Sequence, residues 1–117
     1  GEPIPMFGDG STGRDYTFVG DIITGIQQAM AYITDQNKVY EIINLGNHSP
    51  VLLRDLIQLL EKTSGKLAKV NQLPMQPGDV QQTYADISKA QRLLGYQPKT
   101  SIEIGLRTFM DWYYATQ

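Results

Sequence analysis

Apolar residues recur along the chain at helical and strand spacings. In "DIITGIQQAMAYI" (21–33), Ile22, Ile26, Ala29, Met30 and Ile33 share one helical face, and Asp21 is placed to cap the helix. "VYEIINLG" (39–46) is short, rich in β-branched residues and closed by Gly46, which predicts a buried strand. In "NHSPVLLRDLIQLLEKTSGK", Ser49 is the expected cap and Pro50 the first helical residue. Leu53, Leu56, Ile57 and Leu60 form the apolar stripe of that helix, and Gly65 ends it in the left-handed turn that glycine permits. "LAKVNQL" (67–73) reads as a second strand, "PMQPGD" (74–79) as a turn-rich loop and "VQQTYAD" as extended chain. A short helix is expected from Asp86, with Ile87, Ala90, Leu93 and Leu94 on one face and Gly95 as its stop. Thr100 and Glu103 have capping-box spacing ahead of a last stripe, Ile102, Leu106, Phe109, Met110 and Tyr113.

Ahead of the first helix lies a hairpin-like segment, so the order is helix, strand, helix, strand, helix, helix. Short strands between helices predict a mixed α/β class, with α+β as the alternative, and a sheet covered on at least one face. With 117 residues the chain makes one domain, 1–117, with one modest core. Hydrophobic residues at 41% and charged residues at 19% fit a soluble globular chain. A net charge of −2 argues against a nucleic-acid surface, which calls for a basic stripe. The absence of cysteine removes disulfides and thiolate metal sites, and one histidine cannot build a zinc site alone. No apolar run approaches the roughly 20 residues of a membrane span. No signal peptide is visible, and a cytoplasmic location is the default expectation.

Candidate chemistry starts at "FGDGSTGRD" (7–15), where Gly8, Gly10 and Gly13 have the spacing G-x-G-x-x-G of a dinucleotide loop. Such a loop needs a helix to begin at its third glycine, so that free amides at the helix end meet the pyrophosphate. Here "RDYTFV" follows, aromatic and β-branched, which is a strand signal. The better reading is a glycine-shaped turn. Arg14 beside it has a planar fork suited to phosphate oxygens, or else it is a surface arginine paired with Asp15 or Asp9. In "PMQPGDV", two prolines and a glycine fix a loop that presents Gln76 and Asp79. Asp79 could hold the vicinal hydroxyls of a sugar, or merely stabilise its own turn through an Asx hydrogen bond. His48 reads as a solvated residue ahead of a helix, and Tyr84, Trp112, Tyr113 and Tyr114 as core or rim.

Three stretches, "PIPMFGDGSTGRDYTFVGDIITGIQQAM", "YEIINLGN" and "LPMQPGDVQQTYADISKAQRLLGYQPKTSIEIGL", resemble the carboxy-terminal third of nucleotide-sugar epimerases of the extended short-chain dehydrogenase/reductase superfamily. "GRDYTFVGDI" is common to many members, whereas "PMQPGDVQQTYADISKA" is similar to the UDP-glucuronate 4-epimerase branch. Gln76 stands where many relatives acting on neutral sugars have arginine. The resemblance implies that Arg14 binds the nucleotide diphosphate with Gln76 beside it, and that Asp79 contacts the ribose. It also implies that the backbone around Pro5 and Phe7 lies along the uracil, with Tyr16 near that pocket. The catalytic Tyr-x-x-x-Lys pair and the true glycine-rich NAD loop belong to the family's amino-terminal part, and none of the tyrosines here has a lysine four residues later. NAD is therefore expected in the full-length parent and no cofactor in this chain. The expected partners are a UDP-sugar and the missing NAD-binding domain, against which the helix at 21–33 and the strand at 39–46 would lean. Without that domain, exposed apolar surface invites self-association. Two alternatives stay open: a parent that is a dehydratase or decarboxylase of the same superfamily, and a standalone binding module.

Overall fold

A computed structural model describes residues 2–117. Its elements run β1 (Ile4–Phe7), β2 (Gly13–Arg14), α1 (Val19–Asp35), β3 (Val51–Leu52), α2 (Leu53–Ser64), β4 (Val70–Leu73), α3 (Ser88–Leu94) and α4 (Ile102–Ala115). The mixed α/β class is as expected, but the strand pairing is not. β1 pairs in parallel with β4, Ile4 opposite Val70 through Phe7 opposite Leu73, and β2 pairs antiparallel with β3. Among the described residues no amino-terminal hairpin forms, because the two short strands that would have faced each other each find a distant partner. The parallel pair instead requires a long crossover, and α1, β3 and α2 supply it.

Helix boundaries shift for local reasons. Phe18, in extended conformation, occupies the cap position of α1 with no side-chain hydrogen bond. Asp21 sits inside the first turn, where its carboxylate accepts the amides of Lys99 (3.3 Å) and Thr100 (3.0 Å). It thus fastens the start of α1 to the lead-in of α4 rather than capping its own helix. Pro50 precedes β3, and α2 starts at Leu53 without a side-chain cap. α3 begins at Ser88, whose amide donates to the Asp86 carboxylate at 2.9 Å. The cap of α4 is Ser101, one residue later than the spacing suggested, and its hydroxyl accepts from the Ile104 amide. Gly65 and Gly95 end α2 and α3 with φ of 70° and 67°, as expected of left-handed stops.

The core is small. Among the described residues, Ile87, Ala90 and Tyr96 are the buried hydrophobics, with Ile43, Leu45, Ala85 and Leu94 packed around them. The Tyr96 ring is fully buried and its hydroxyl donates to the Gly46 carbonyl at 2.9 Å. Gly25 of α1 lies against the Leu45 and Tyr96 side chains, with no room for a Cβ.

Two elements are left half covered. The stripe expected on α1 divides, because Ile22 and Ala29 are half-buried while Ile26, Met30 and Ile33 face solvent, Met30 at 61% exposure. The segment 39–46 keeps the alternation of a strand, with Ile43 and Leu45 inward and Tyr40 and Ile42 outward at 89% and 75% exposure. It nevertheless pairs with no other strand among the described residues. Its periodicity is that of a sheet strand, yet this chain offers it no ladder. The radius of gyration is 17.3 Å. A compact domain of this length is expected near ~13 Å. The shape is a flattened one, 54 × 37 × 19 Å, with apolar faces left open.

Candidate functional site

β1 forms one wall of the site. The amides of Ile4 and Gly8 donate to the carbonyls of Lys69 and Leu73 on the β4 side. Alternation along a strand then turns the backbone of Pro5 and Phe7 to the opposite, unpaired edge. Proline has no amide hydrogen, so Phe7 supplies the donor on that edge and both residues supply acceptors. Immediately after β1, Gly8 and Gly10 take φ of 82° and 79°, a region that favours glycine. A side chain at Gly8 would collide with the Met75 sulfur, so the turn also brings the 74–79 loop close to β1. No helix begins until Val19, which removes the helix end that a dinucleotide loop needs.

Arg14 lies on β2, and its guanidinium reaches across to Asp79. Nη2 meets the Asp79 Oδ1 at 2.5 Å, while Nη1 donates to the Gly13 carbonyl at 2.8 Å. Both side chains are partly exposed, at 27% and 36%, so the pair is open to a ligand. Of the five guanidinium N–H groups, these contacts use two, and the others have no acceptor among the described residues. Asp15 and Asp9 are not its partners. Asp9 accepts from the Ser11 amide at 2.9 Å, and the Ser11 hydrogen bonds hold its carboxyl below the ordinary value. Nor does the Asp79 side chain brace its own turn: the turn closes through the Asp79 amide on the Gln76 carbonyl at 3.2 Å, with Gly78 at φ 85°. The Gln76 side chain is exposed on the same loop and is not drawn to the pair.

Tyr16 lies apart from that pair. It lines an apolar groove of about 420 Å³ with Phe18, Leu56, Leu60, Ile102 and Leu106, between the start of α1 and the helices α2 and α4. Asp15 is a residue that spacing gave no reason to single out. Its Oδ2 accepts the amides of His48 and Ala85, both at 3.1 Å, and its Oδ1 accepts that of Ser49 at 3.3 Å. His48 is likewise more than a solvated residue. It takes φ 56°, its Nδ1 lies 3.0 Å from the Ala85 carbonyl, and its Nε2 lies 2.7 Å from the Tyr84 hydroxyl. The carbonyl can only accept, so Nδ1 carries a proton, and with the ring neutral the Tyr84 hydroxyl donates to Nε2. Tyr84 is accordingly a rim residue with a polar task. Of the described residues, no group of three or more His, Asp or Glu is arranged to hold a metal ion, and no helix is long and apolar enough to cross a membrane.

Comparison with known proteins identifies the family. Residues 1–109 match the family model described as GDP-mannose 4,6 dehydratase. An uncharacterised protein of Methanocaldococcus jannaschii is 47% identical over 113 residues, covering 97% of this chain and 33% of its own length. The UDP-glucuronate 4-epimerase of Thermodesulfobacterium geofontis is 41% identical over 112 residues, again 33% of its length. Among solved structures, the UDP-glucuronic acid 4-epimerase of Bacillus cereus in complex with UDP-glucuronic acid and NAD superposes with a TM-score of 0.88 at 40% identity, over 99% of this chain and 36% of that one. The chain thus spans about a third of the length of these relatives. It belongs to the GDP-mannose 4,6 dehydratase family within the extended short-chain dehydrogenases/reductases, and corresponds to part of an enzyme of that kind.

Proposed function

We propose that the chain is the UDP-sugar-binding portion of an NAD-dependent UDP-glucuronate 4-epimerase and is inactive alone. The observation that carries this reading is the meeting of Arg14 and Asp79, two residues 65 positions apart, on a partly exposed face. Arg14 keeps N–H groups for the oxygens of a diphosphate, and Asp79 keeps a carboxylate oxygen for the hydroxyls of the adjoining ribose. The free edge of β1 offers the Phe7 amide and the carbonyls of Pro5 and Phe7 to the edge of a uracil. Gln76 adds a neutral donor and acceptor beside the diphosphate.

The glycines at 8, 10 and 13 open no helix and so make no dinucleotide loop. In this reading the cofactor and the catalytic Tyr-x-x-x-Lys pair lie in an amino-terminal part. The outward faces of α1 and of 40–44, together with the large radius of gyration, support the docking of that part on this side.

The experiment is product analysis of the full-length protein supplied with UDP-glucuronate and NAD. The expected product is the same UDP-sugar inverted at C4. A dehydrated keto sugar would instead support the second reading, a dehydratase parent, which the description of the matching family favours. A decarboxylated product, or no turnover with normal UDP binding, would count against the epimerase.

A further inference from the structure

Arg14 owes its place to the two chain segments that flank β2. On one side β2 pairs with β3, Arg14 opposite Val51. On the other, the Gly13 amide donates to the Gln81 carbonyl at 2.9 Å and the Thr83 amide donates to the Gly13 carbonyl at 3.1 Å. Neither flanking segment is a full strand, and each is only two or three residues long at the contact. So short a ladder does not hold itself in place.

Asp15 closes this patch. Its amide donates to the Thr83 hydroxyl at 3.1 Å, and its carboxylate collects the amides of His48 and Ser49 from the β3 side and of Ala85 from the other. One carboxylate therefore joins both neighbours of β2 one residue beyond Arg14. His48 repeats the connection through the Ala85 carbonyl and the Tyr84 hydroxyl. Asp79 lies on the chain that leads into 81–85, so whatever fixes that segment on β2 also fixes Asp79 opposite Arg14.

We propose that Asp15 is the positioning residue of the nucleotide site, reinforced by His48, and that it acts through Arg14 rather than by touching the ligand. This rests on the UDP-binding reading given above. A carboxylate is required because three amide donors converge on it. Asn at this position would turn an NH2 toward at least one of them, whichever way it flips.

The test uses UDP as probe, titrated calorimetrically against the full-length protein as wild type, Arg14→Ala, Asp15→Asn and the double variant. Circular dichroism and melting curves check that each is folded. Asp15→Asn is expected to weaken UDP binding about tenfold, and Arg14→Ala at least as much. The double variant should match Arg14→Ala within about twofold, because removing Arg14 takes away both the guanidinium that Asp15 positions and the partner that holds Asp79 in place. A merely structural role for Asp15 would give the same tenfold loss in the Arg14→Ala background. That result, or full affinity in Asp15→Asn, overturns the inference. If Asp15→Asn does not fold, His48→Asn decides. Asparagine tolerates the left-handed backbone but loses the ring contacts. A loss of about threefold that disappears in the Arg14→Ala background supports the inference, while no loss or an additive one overturns it. Unchanged affinity in Arg14→Ala alone removes the underlying site, and the inference with it.

Discussion

Gly46 leaves no space for a side chain. A Cβ there would run into the Ala85 Cβ and the Asp15 carboxylate, and its carbonyl already receives the Tyr96 hydroxyl. Gly46→Ala is therefore expected to lower the stability of the full-length protein by about 2 kcal/mol in denaturant titrations, by overpacking. Tyr96 itself titrates late: burial raises its pKa above the ordinary 10.0, with the negative charges of Asp21 and Asp15 adding to the effect. A raised pKa in the folded state means that stability is fully present below pH ~10 and falls as pH rises beyond it, because the unfolded chain gives up the proton first. Stability measured from pH 8 upward should show this alkaline decline, and Tyr96→Phe should flatten it. That variant should also lose about 1 kcal/mol at neutral pH, through the unpaired Gly46 carbonyl. At this scale the sequence shows residue types but not partners. The chemistry of Arg14 and Asp79 was visible as a fork and a carboxylate on turn-rich chain, yet nothing in the spacing said that they meet. Asp15 and His48 were invisible as organisers because the partners of their side chains, the Tyr84 hydroxyl apart, are backbone amides and carbonyls, which carry no residue signature.

Helices were legible from their apolar stripes and glycine stops, since both signals are local. Caps were less so. "TSIE" contains two hydroxyl residues in a row, and the one whose backbone is extended immediately before the helix takes the cap. Ser101→Ala should accordingly cost about 1 kcal/mol of stability, whereas Thr100→Ala, whose amide rather than hydroxyl is bound to Asp21, should cost much less. Glu103 also belongs to this cap: hydrogen bonds from its own backbone and from Ser101 lower its carboxyl pKa. Strands were read less well. Two-residue strands such as β2 and β3 have no periodicity to detect, and the pairing of β1 with β4 depends on everything folded between them. The segment 39–46 shows the opposite failure, because its pattern is that of a strand while it pairs with no other strand among the described residues.

For the whole molecule, the open faces are the dominant feature. Ile26, Met30 and Ile33 on α1, and Tyr40 and Ile42 on the segment that follows it, are large apolar side chains exposed to solvent. The chain alone should therefore self-associate, with a sedimentation coefficient that rises with concentration. Replacing Ile26, Met30 and Ile33 by Glu or Lys should suppress that rise. In the full-length protein the same substitutions should lower the melting temperature, because they would place charges against the proposed amino-terminal part. The claim on which the rest depends is that the face carrying Arg14 and Asp79 receives the nucleotide of a UDP-sugar. Its most direct measurement is a UDP titration of the full-length protein, wild type against Arg14→Ala, at low and moderate salt. Removing a charge-assisted contact worth about 1.5–3 kcal/mol should raise Kd roughly tenfold to a hundredfold and flatten its salt dependence. Equal affinity and equal salt dependence in the two proteins would contradict the account.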